Sequence, residues 1–319
     1  VSRSKPGGQV PHQSTVKERA VSTVKSITIP SRTPKPDLRE NNHVDTRGAT
    51  PPDILALCDQ LQVDFLRLQF TDITGINKNV EVPRSQFQKA LEGEIMFDGS
   101  SIKGFVRIEE SDMILKPDLG TFKIFPYDDE GGRVARLICD IYNPDGSRFL
   151  GCPRGALQRQ IEAAKKLGYE MMAGVEAEFF IFHLDDNGRP IMEAHDEGGY
   201  FDLAPVDRAE PIRRLIIDDL VSLGFEVEAG HHEVAEGQHE VDFRYADALT
   251  TADNLATFRF IVRNVAYRHG FGATFMPKPI FGQNGSGMHT HQSLFKDGEN
   301  AFFDPKAKWQ ISDVGLAYI

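Results

Sequence analysis

From Pro51 onward the apolar residues fall into short blocks whose period gives the element type directly. Asp53 to Gln60 carries apolar residues at helical spacing, with Asp53 placed to cap it. Val63, Phe65, Leu66, Leu68 and Phe70 form a β-type run, Thr71 to Gly75 turns, and Lys78 to Val82 returns until Pro83 stops it, so a hairpin is predicted. A short helix over Ser85–Leu91, a polar Gly-rich loop over Asp98–Gly104, and strands over Thr121–Pro126 and Val134–Tyr142 complete a small α+β unit. The boundary is expected within Asn143–Arg154.

Beyond it, Pro153 suits the first turn of a helix running to Leu167. Strands are expected over Met171–Phe182, Phe225–Glu233, Gln238–Tyr245, Ala273–Pro277 and Gly287–Phe295, and long helices over Pro211–Leu223 and Thr251–His269. Asp313–Ile319 reads as the opening of a further helix without a closing cap, so continuation beyond it is expected. The expected layout is a disordered extension over 1–50, a small domain over 51–149 and a larger one over 150–319.

Length agrees with that division, since 319 residues at roughly 150 per domain give about two. No apolar run approaches the ~20 residues of a membrane helix, which argues against a membrane role. The cysteines Cys58, Cys139 and Cys152 stand singly, giving neither zinc-ligand spacing nor a disulfide framework, and a reducing, cytoplasmic setting fits best. Net charge is −11, unevenly spread: residues 1–50 hold nine Lys/Arg against four Asp/Glu, the remainder 27 against 43. An acidic folded part disfavours nucleic acid as a partner. Residues 1–50, rich in Ser, Thr, Pro and basic side chains, cannot bury enough surface to order themselves; a non-native extension, a functional tail and a transit segment all fit.

Candidate chemistry sits in four segments. Alternation along Met171–Phe182 places Glu176 and Glu178 on one strand face with Met172, Phe180 and Phe182. Acids flanked by aromatics point to a semi-enclosed acidic site. In His231–Glu240, Glu233 ends one strand and Glu240 enters the next, with Gly237 allowing the turn. Four gathered carboxylates repel strongly, two like charges ~4 Å apart costing about 4 kcal/mol at an effective dielectric of 20. A hard divalent cation offsets this, and carboxylate oxygens suit Mg²⁺ or Mn²⁺. His231, His232 and His239 receive no catalytic role, since such histidines usually pack or face solvent. The stretch Lys278–Ser293 joins a Gly-rich loop to a strand whose alternation aims His289, His291 and Ser293 at one face, with loop amides near Asn284 and Gly285 able to approach an anion. Asp98 lies in the loop Phe97–Ser101, where an Asx-turn is the simple reading.

Together these segments resemble glutamine synthetase of the bacterial type I kind. Phe97–Ser101 through Glu110–Asp112 is similar to that family's N-terminal signature and Lys278–Ser293 to its ATP-region signature. Gly174–Phe180 and His231–Ala235 are similar to its metal segments, in the same order. The resemblance spans about residues 53–319. It implies a β-grasp-like N-terminal domain and a catalytic domain whose antiparallel strands form part of a barrel backed by helices, an α+β fold. It also implies ATP-dependent ligation of ammonia to L-glutamate through γ-glutamyl phosphate, since phosphorylation turns an inert carboxylate into an acyl group that ammonia attacks.

By motif position, Glu178, Glu233 and Glu240 would hold one metal and Glu176 with His289 a second. Glu228, His291 and Ser293 would contact ATP, with Tyr245 toward adenine, and Asn284 and Gly285 would contact glutamate. Asp98, Tyr200 and Glu233 would bind ammonium and take its proton. The family pattern implies a homododecamer with sites shared between subunits, and Arg107 as a residue of glutamine feedback control. The family's catalytic domain continues well past the equivalent of Ile319, so the resemblance also implies an incomplete or non-functional copy. A silent nitrogen-sensing relative and a γ-glutamyl ligase for larger amines are the alternatives.

Overall fold

The computed structural model describes residues 44–102, 104–106, 111–129 and 131–319, all within one compact unit, Pro36–Ile319. Most of the expected extension, through residue 43, and Arg107 therefore lie outside the described residues.

The N-terminal part opens with helix α1 (Pro51–Gln60). It starts two residues before Asp53 because Pro51 occupies the first turn and Asp53 reaches back to accept the Thr50 N–H at 2.8 Å. Strands β1 (Phe65–Thr71) and β2 (Asn77–Pro83) pair antiparallel from Phe65↔Pro83 to Thr71↔Asn77, the expected hairpin. Helix α2 (Phe87–Leu91) follows, then β3 (Ile95–Asp98), β4 (Asp112–Asp129) and β5 (Gly132–Tyr142). The sheet order is β2-β1-β5-β4-β3, with β1 parallel to β5, and α1 and α2 cover one face through Ile54, Cys58, Phe87 and Leu91. β4 is far longer than the expected Thr121–Pro126, because irregular pairing between Asp118 and Lys123 absorbs Gly120 without ending the ladder.

The larger part comprises α3 (Pro153–Lys166), β6 (Glu170–Ala177), β7 (Phe179–Leu184), β8 (Pro190–Ala194), α4 (Glu210–Ser222), β9 (Val227–His232), β10 (Gln238–Phe243), β11 (Ala246–Asp247), α5 (Ala248–Arg268), β12 (Phe271–Thr274), β13 (Met288–Lys296), β14 (Glu299–Asn300) and α6 (Asp313–Tyr318). Two sheets result: β12-β7-β10-β9 with β8 on β7, and β11-β6-β13-β14. The single strand expected over Met171–Phe182 is thus two strands in different sheets, broken at Glu178. Every strand pair in these two sheets is antiparallel.

Helices α4 and α5 back the sheets through Ile216, Leu220, Phe258 and Val262, in a core that also takes Phe125 of β4 and Val134 of β5. At the same junction Arg154 of α3 meets Asp118 at 2.7 Å, Asp140 at 2.8 Å and Asp253 of α5 at 2.9 Å. A buried guanidinium with three carboxylates is satisfied from both parts of the unit and ties the N-terminal sheet to the helical layer.

Candidate active site

The break at Glu178 builds the site. Before it, β6 lies beside β13 with His289 directly opposite Glu176 and His291 opposite Gly174. Period-two alternation therefore turns Glu176, His289 and His291 to one face: Glu176 Oε2 stands 3.1 Å from His289 Nδ1, and Oε1 2.7 Å from His291 Nε2. The imidazole of His291, and secondarily that of His289, holds the Glu176 carboxyl below its ordinary range despite partial burial.

At the break itself Glu178 faces the other sheet. Its Oε2 accepts from Gln238 Nε2 at 2.6 Å and from the Gly287 N–H at 3.2 Å. Gln238 is buried and also donates to the Gly285 carbonyl at 3.1 Å, so one amide clamps the Gly-rich loop to the acidic cluster. Burial pushes the Glu178 carboxyl up, and the Glu233 charge adds to that, while the Gly287 N–H opposes it.

On β9 and β10, Glu240 lies opposite His231, and alternation puts Asp242 on the same face. His231 stands 3.5 Å from both Glu233 Oε1 and Glu240 Oε2, and 3.9 Å from Asp242 Oδ2. Ligand atoms of His231, Glu233 and Glu240 all lie within 4.8 Å of one another. Glu240 is pushed up to about 8, first by burial and then by the charges of Asp242, Glu233 and Glu178. Asp242 is raised as well, by burial and by the charges of Glu176, Glu228 and Glu233, against the opposing effect of His231.

Among the described residues Glu240 Oε1 and Asp242 Oδ1 are buried without a hydrogen-bond donor. Carboxylate oxygens that repel each other and lack donors, set beside imidazoles, fit a hard divalent cation better than a structural ion-pair network.

The remaining expected site residues are dispersed around this centre. Tyr200 stacks on Phe201 with ring centroids 3.9 Å apart, and both rings meet His231 edge-on, at 5.7 and 4.7 Å. Glu228 is exposed on β9, and Ser293 is half-buried on β13 opposite Met172. Tyr245 lies just past the end of β10, where a side-chain carbon on Gly174 would come within 3.2 Å of its Cβ, and borders a cavity of about 550 Å³. Asn284 is exposed in the loop before β13. Asp98 is not at the cluster: it caps a short 3-10 turn in the N-terminal sheet, accepting from the Ser100 N–H at 2.8 Å and hydroxyl at 2.6 Å.

Three residues without an expected role belong to the centre. His231 bridges Glu233 and Glu240, Asp242 adds a carboxylate, and Gln238 holds Glu178. Asp242 was detectable, since Glu240-Val241-Asp242 on a strand puts both acids on one face; the place of His231 depends on cross-strand register.

A β-grasp sheet joined to antiparallel sheets that meet at a carboxylate–imidazole cluster defines an α+β protein whose acidic cluster could hold a cation. Two family descriptions match in tandem, the glutamine synthetase beta-Grasp domain over residues 62–144 and the glutamine synthetase catalytic domain over 150–319. The chain belongs to the glutamine synthetase family. It is 62% identical over 276 residues to a glutamine synthetase of Thermus thermophilus, covering 85% of this chain and 62% of that protein. A glutamine synthetase of Clostridium saccharobutylicum is 57% identical over 270 residues, covering 85% and 61%. Among solved structures, a GmaS/ADP complex superimposes with a TM-score of 0.76 at 30% identity, covering 83% of this chain and 61% of that one. The glutamine synthetase of Plasmodium falciparum also gives 0.76, at 26% identity and with 85% and 58% covered. The chain thus spans about three fifths of the length of the curated relatives it matches.

Proposed function

We propose that the protein joins ammonia to L-glutamate at the expense of ATP. In that reaction the γ-phosphoryl group of ATP passes to a γ-carboxylate oxygen of glutamate and ADP leaves. The ammonia nitrogen then attacks the activated carbonyl carbon, phosphate departs, and the surplus proton goes to a carboxylate. What supports the reading is His289 facing Glu176 across β6 and β13, Glu178 at the break that follows, and Glu233 and Glu240 within ligand reach of His231 across β9 and β10.

In this reading Glu178, Glu233 and Glu240 hold one Mg²⁺ or Mn²⁺ and Glu176 with His289 a second, and His231 and Asp242 complete the first set. Such cations supply neutralisation of the polyphosphate and of the transferred phosphoryl group. Glu228, His291 and Ser293 bind ATP with Tyr245 toward adenine, and Asn284 and Gly285 bind the amino-acid end of glutamate. Tyr200, packed with Phe201 edge-on against His231 beside Glu233, helps Asp98 and Glu233 at the ammonium. Asp98 accepts the ammonium proton; its exposure and its confinement to its own turn suit donation to a neighbouring subunit, which is the support for a homododecamer with shared sites. Arg107 is carried as the feedback-control residue. No described helix is long and apolar enough to cross a membrane, and a cytoplasmic location accompanies the proposal.

The test is isotopic. With glutamate carrying ¹⁸O in its γ-carboxylate, ATP, Mg²⁺ and ammonium, label is expected in the released phosphate, with glutamine formed in preference to amides of bulky amines. Phosphate released without label would contradict the acyl-phosphate route.

A further inference from the structure

The faces of β9 and β10 turned away from the cation centre carry a second set of ionisable groups that the proposed chemistry does not use. At its middle is Asp196, whose side chain is fully buried. Its Oδ1 accepts from the Gly237 N–H at 2.9 Å and the Gly198 N–H at 3.3 Å, and stands 3.1 Å from His232 Nε2. Its Oδ2 accepts from the Arg208 N–H at 3.2 Å and lies 2.9 Å from His195 Nε2.

These partners belong to two segments that must meet for the site to exist. His232 and Gly237 bracket Glu233 in the turn between β9 and β10, and His232 Nδ1 lies 2.7 Å from the Glu233 carbonyl. Gly198 and Arg208 belong to the loop between β8 and α4 that carries Tyr200 and Phe201, and the Phe201 N–H donates to the His232 carbonyl at 3.0 Å. The approach is close: a side-chain carbon on Gly198 would stand 2.5 Å from His232 Nε2. One carboxylate therefore fastens the aromatic loop to the turn bearing Glu233.

The same region offers Asp196, Asp207, His232 and His239 as four ligands within 4.8 Å. A cation there is disfavoured because Arg213 already supplies positive charge, its NH2 2.7 Å from Asp207 Oδ2 and its NH1 2.9 Å from His239 Nδ1. Both His232 nitrogens are also engaged.

We propose that Asp196 is a positioning residue for the cation and amine side of the site, fixing Glu233 through His232 and Gly237, and Tyr200 with Phe201 through Gly198. The proposal rests on the reading of the acidic cluster as a cation centre. Outer groups that orient ligands typically change metal affinity by ~10–100-fold when removed, and Asp196→Asn is expected to weaken Mn²⁺ binding to the chain by about that factor. Hydrogen exchange at Gly198–Asp202 should quicken at the same time.

Gly198→Ala, which pushes on His232 without changing any charge, should weaken Mn²⁺ in the same direction and carries the test if Asp196→Asn does not fold. Arg154→Met, destabilising at the remote Arg154 junction, is the control and should leave Mn²⁺ affinity unchanged. Equal Mn²⁺ affinity in the unsubstituted, Asp196→Asn and Gly198→Ala chains would overturn the proposal, as would an equal loss in Arg154→Met. Failure of the unsubstituted, folded chain to bind Mn²⁺ would instead overturn the cation centre itself, and this inference with it.

Discussion

The two faces of the β9–β10 ladder hold the same residue types and treat them in opposite ways. On one face His231, Glu233, Glu240 and Asp242 crowd together with two buried oxygens left without donors. On the other, Asp196 accepts from the backbone N–H groups of Gly198, Arg208 and Gly237 and lies beside His195 and His232, and Asp207 pairs through Oδ2 with Arg213, its Oδ1 being buried without a donor among the described residues as well. Burial raises the carboxylates of Glu240 and Asp242. Burial also works against the Asp196 anion, yet hydrogen bonds from His195 and His232 hold its carboxyl well below the ordinary range. His239, buried beside the charges of His195, His232 and Arg213, is driven well below the ordinary imidazole value and stays neutral. A buried acid that the chain neutralises itself is architecture; one that it leaves uncompensated is a place for a cation from outside.

The largest effect is expected from removing the positive charge beside Asp207. Arg213→Met strands Asp207 and should cost about 3–5 kcal/mol in urea unfolding; a loss under 1 kcal/mol would show that Arg213 does not compensate the buried Asp207 charge. The open face should respond in the opposite sense. Because the folded-state value of Glu240, about 8, exceeds the unfolded one, the folded chain retains a proton that the unfolded chain gives up. Its contribution is complete below the ordinary glutamate value and fades as pH rises toward 8, so metal-free stability should fall across that interval. Glu240→Gln should flatten the fall, and an unchanged slope would count against the assigned crowding.

Smaller effects are expected at Gln238 and Asp98. Gln238→Leu removes the donor of the Gly285 carbonyl, leaves Glu178 with the Gly287 N–H alone among the described residues, and should cost about 1–3 kcal/mol by thermal unfolding. Smallest of all, Asp98→Ala removes only an exposed turn cap, so melting should shift by no more than about 1 kcal/mol equivalent, while ammonia-dependent glutamine formation should collapse. Retained ammonia dependence would detach Asp98 from the reaction.

Much of this centre was legible because strand alternation is strict: Glu176, His289 and His291 share a face once their strands pair. Hairpin β1–β2 was legible for the same reason, with a clear turn between two patterned runs. The break at Glu178 was not, since Met171–Phe182 reads as one apolar-acid run and only pairing with two different partners divides it. β3 escaped notice because four residues after a Gly turn carry too little pattern, and the start of β4 because Pro117 and Gly120 read as breakers that a local irregularity accommodates. Asp196 was invisible for a deeper reason: His195–Gly199 has the composition of an exposed loop, and its burial follows from α4, β9 and β10 closing over it.

The most direct test of the open face is a Mn²⁺ titration of the metal-free chain at pH 7 by calorimetry in two buffers of different ionisation enthalpy. The expected result is saturable binding that raises the unfolding temperature and releases about one proton per chain, the one held by Glu240, with both effects lost in Glu240→Gln. A folded chain that takes up no Mn²⁺, or takes it up with no proton release and no dependence on Glu240, would contradict the cation centre.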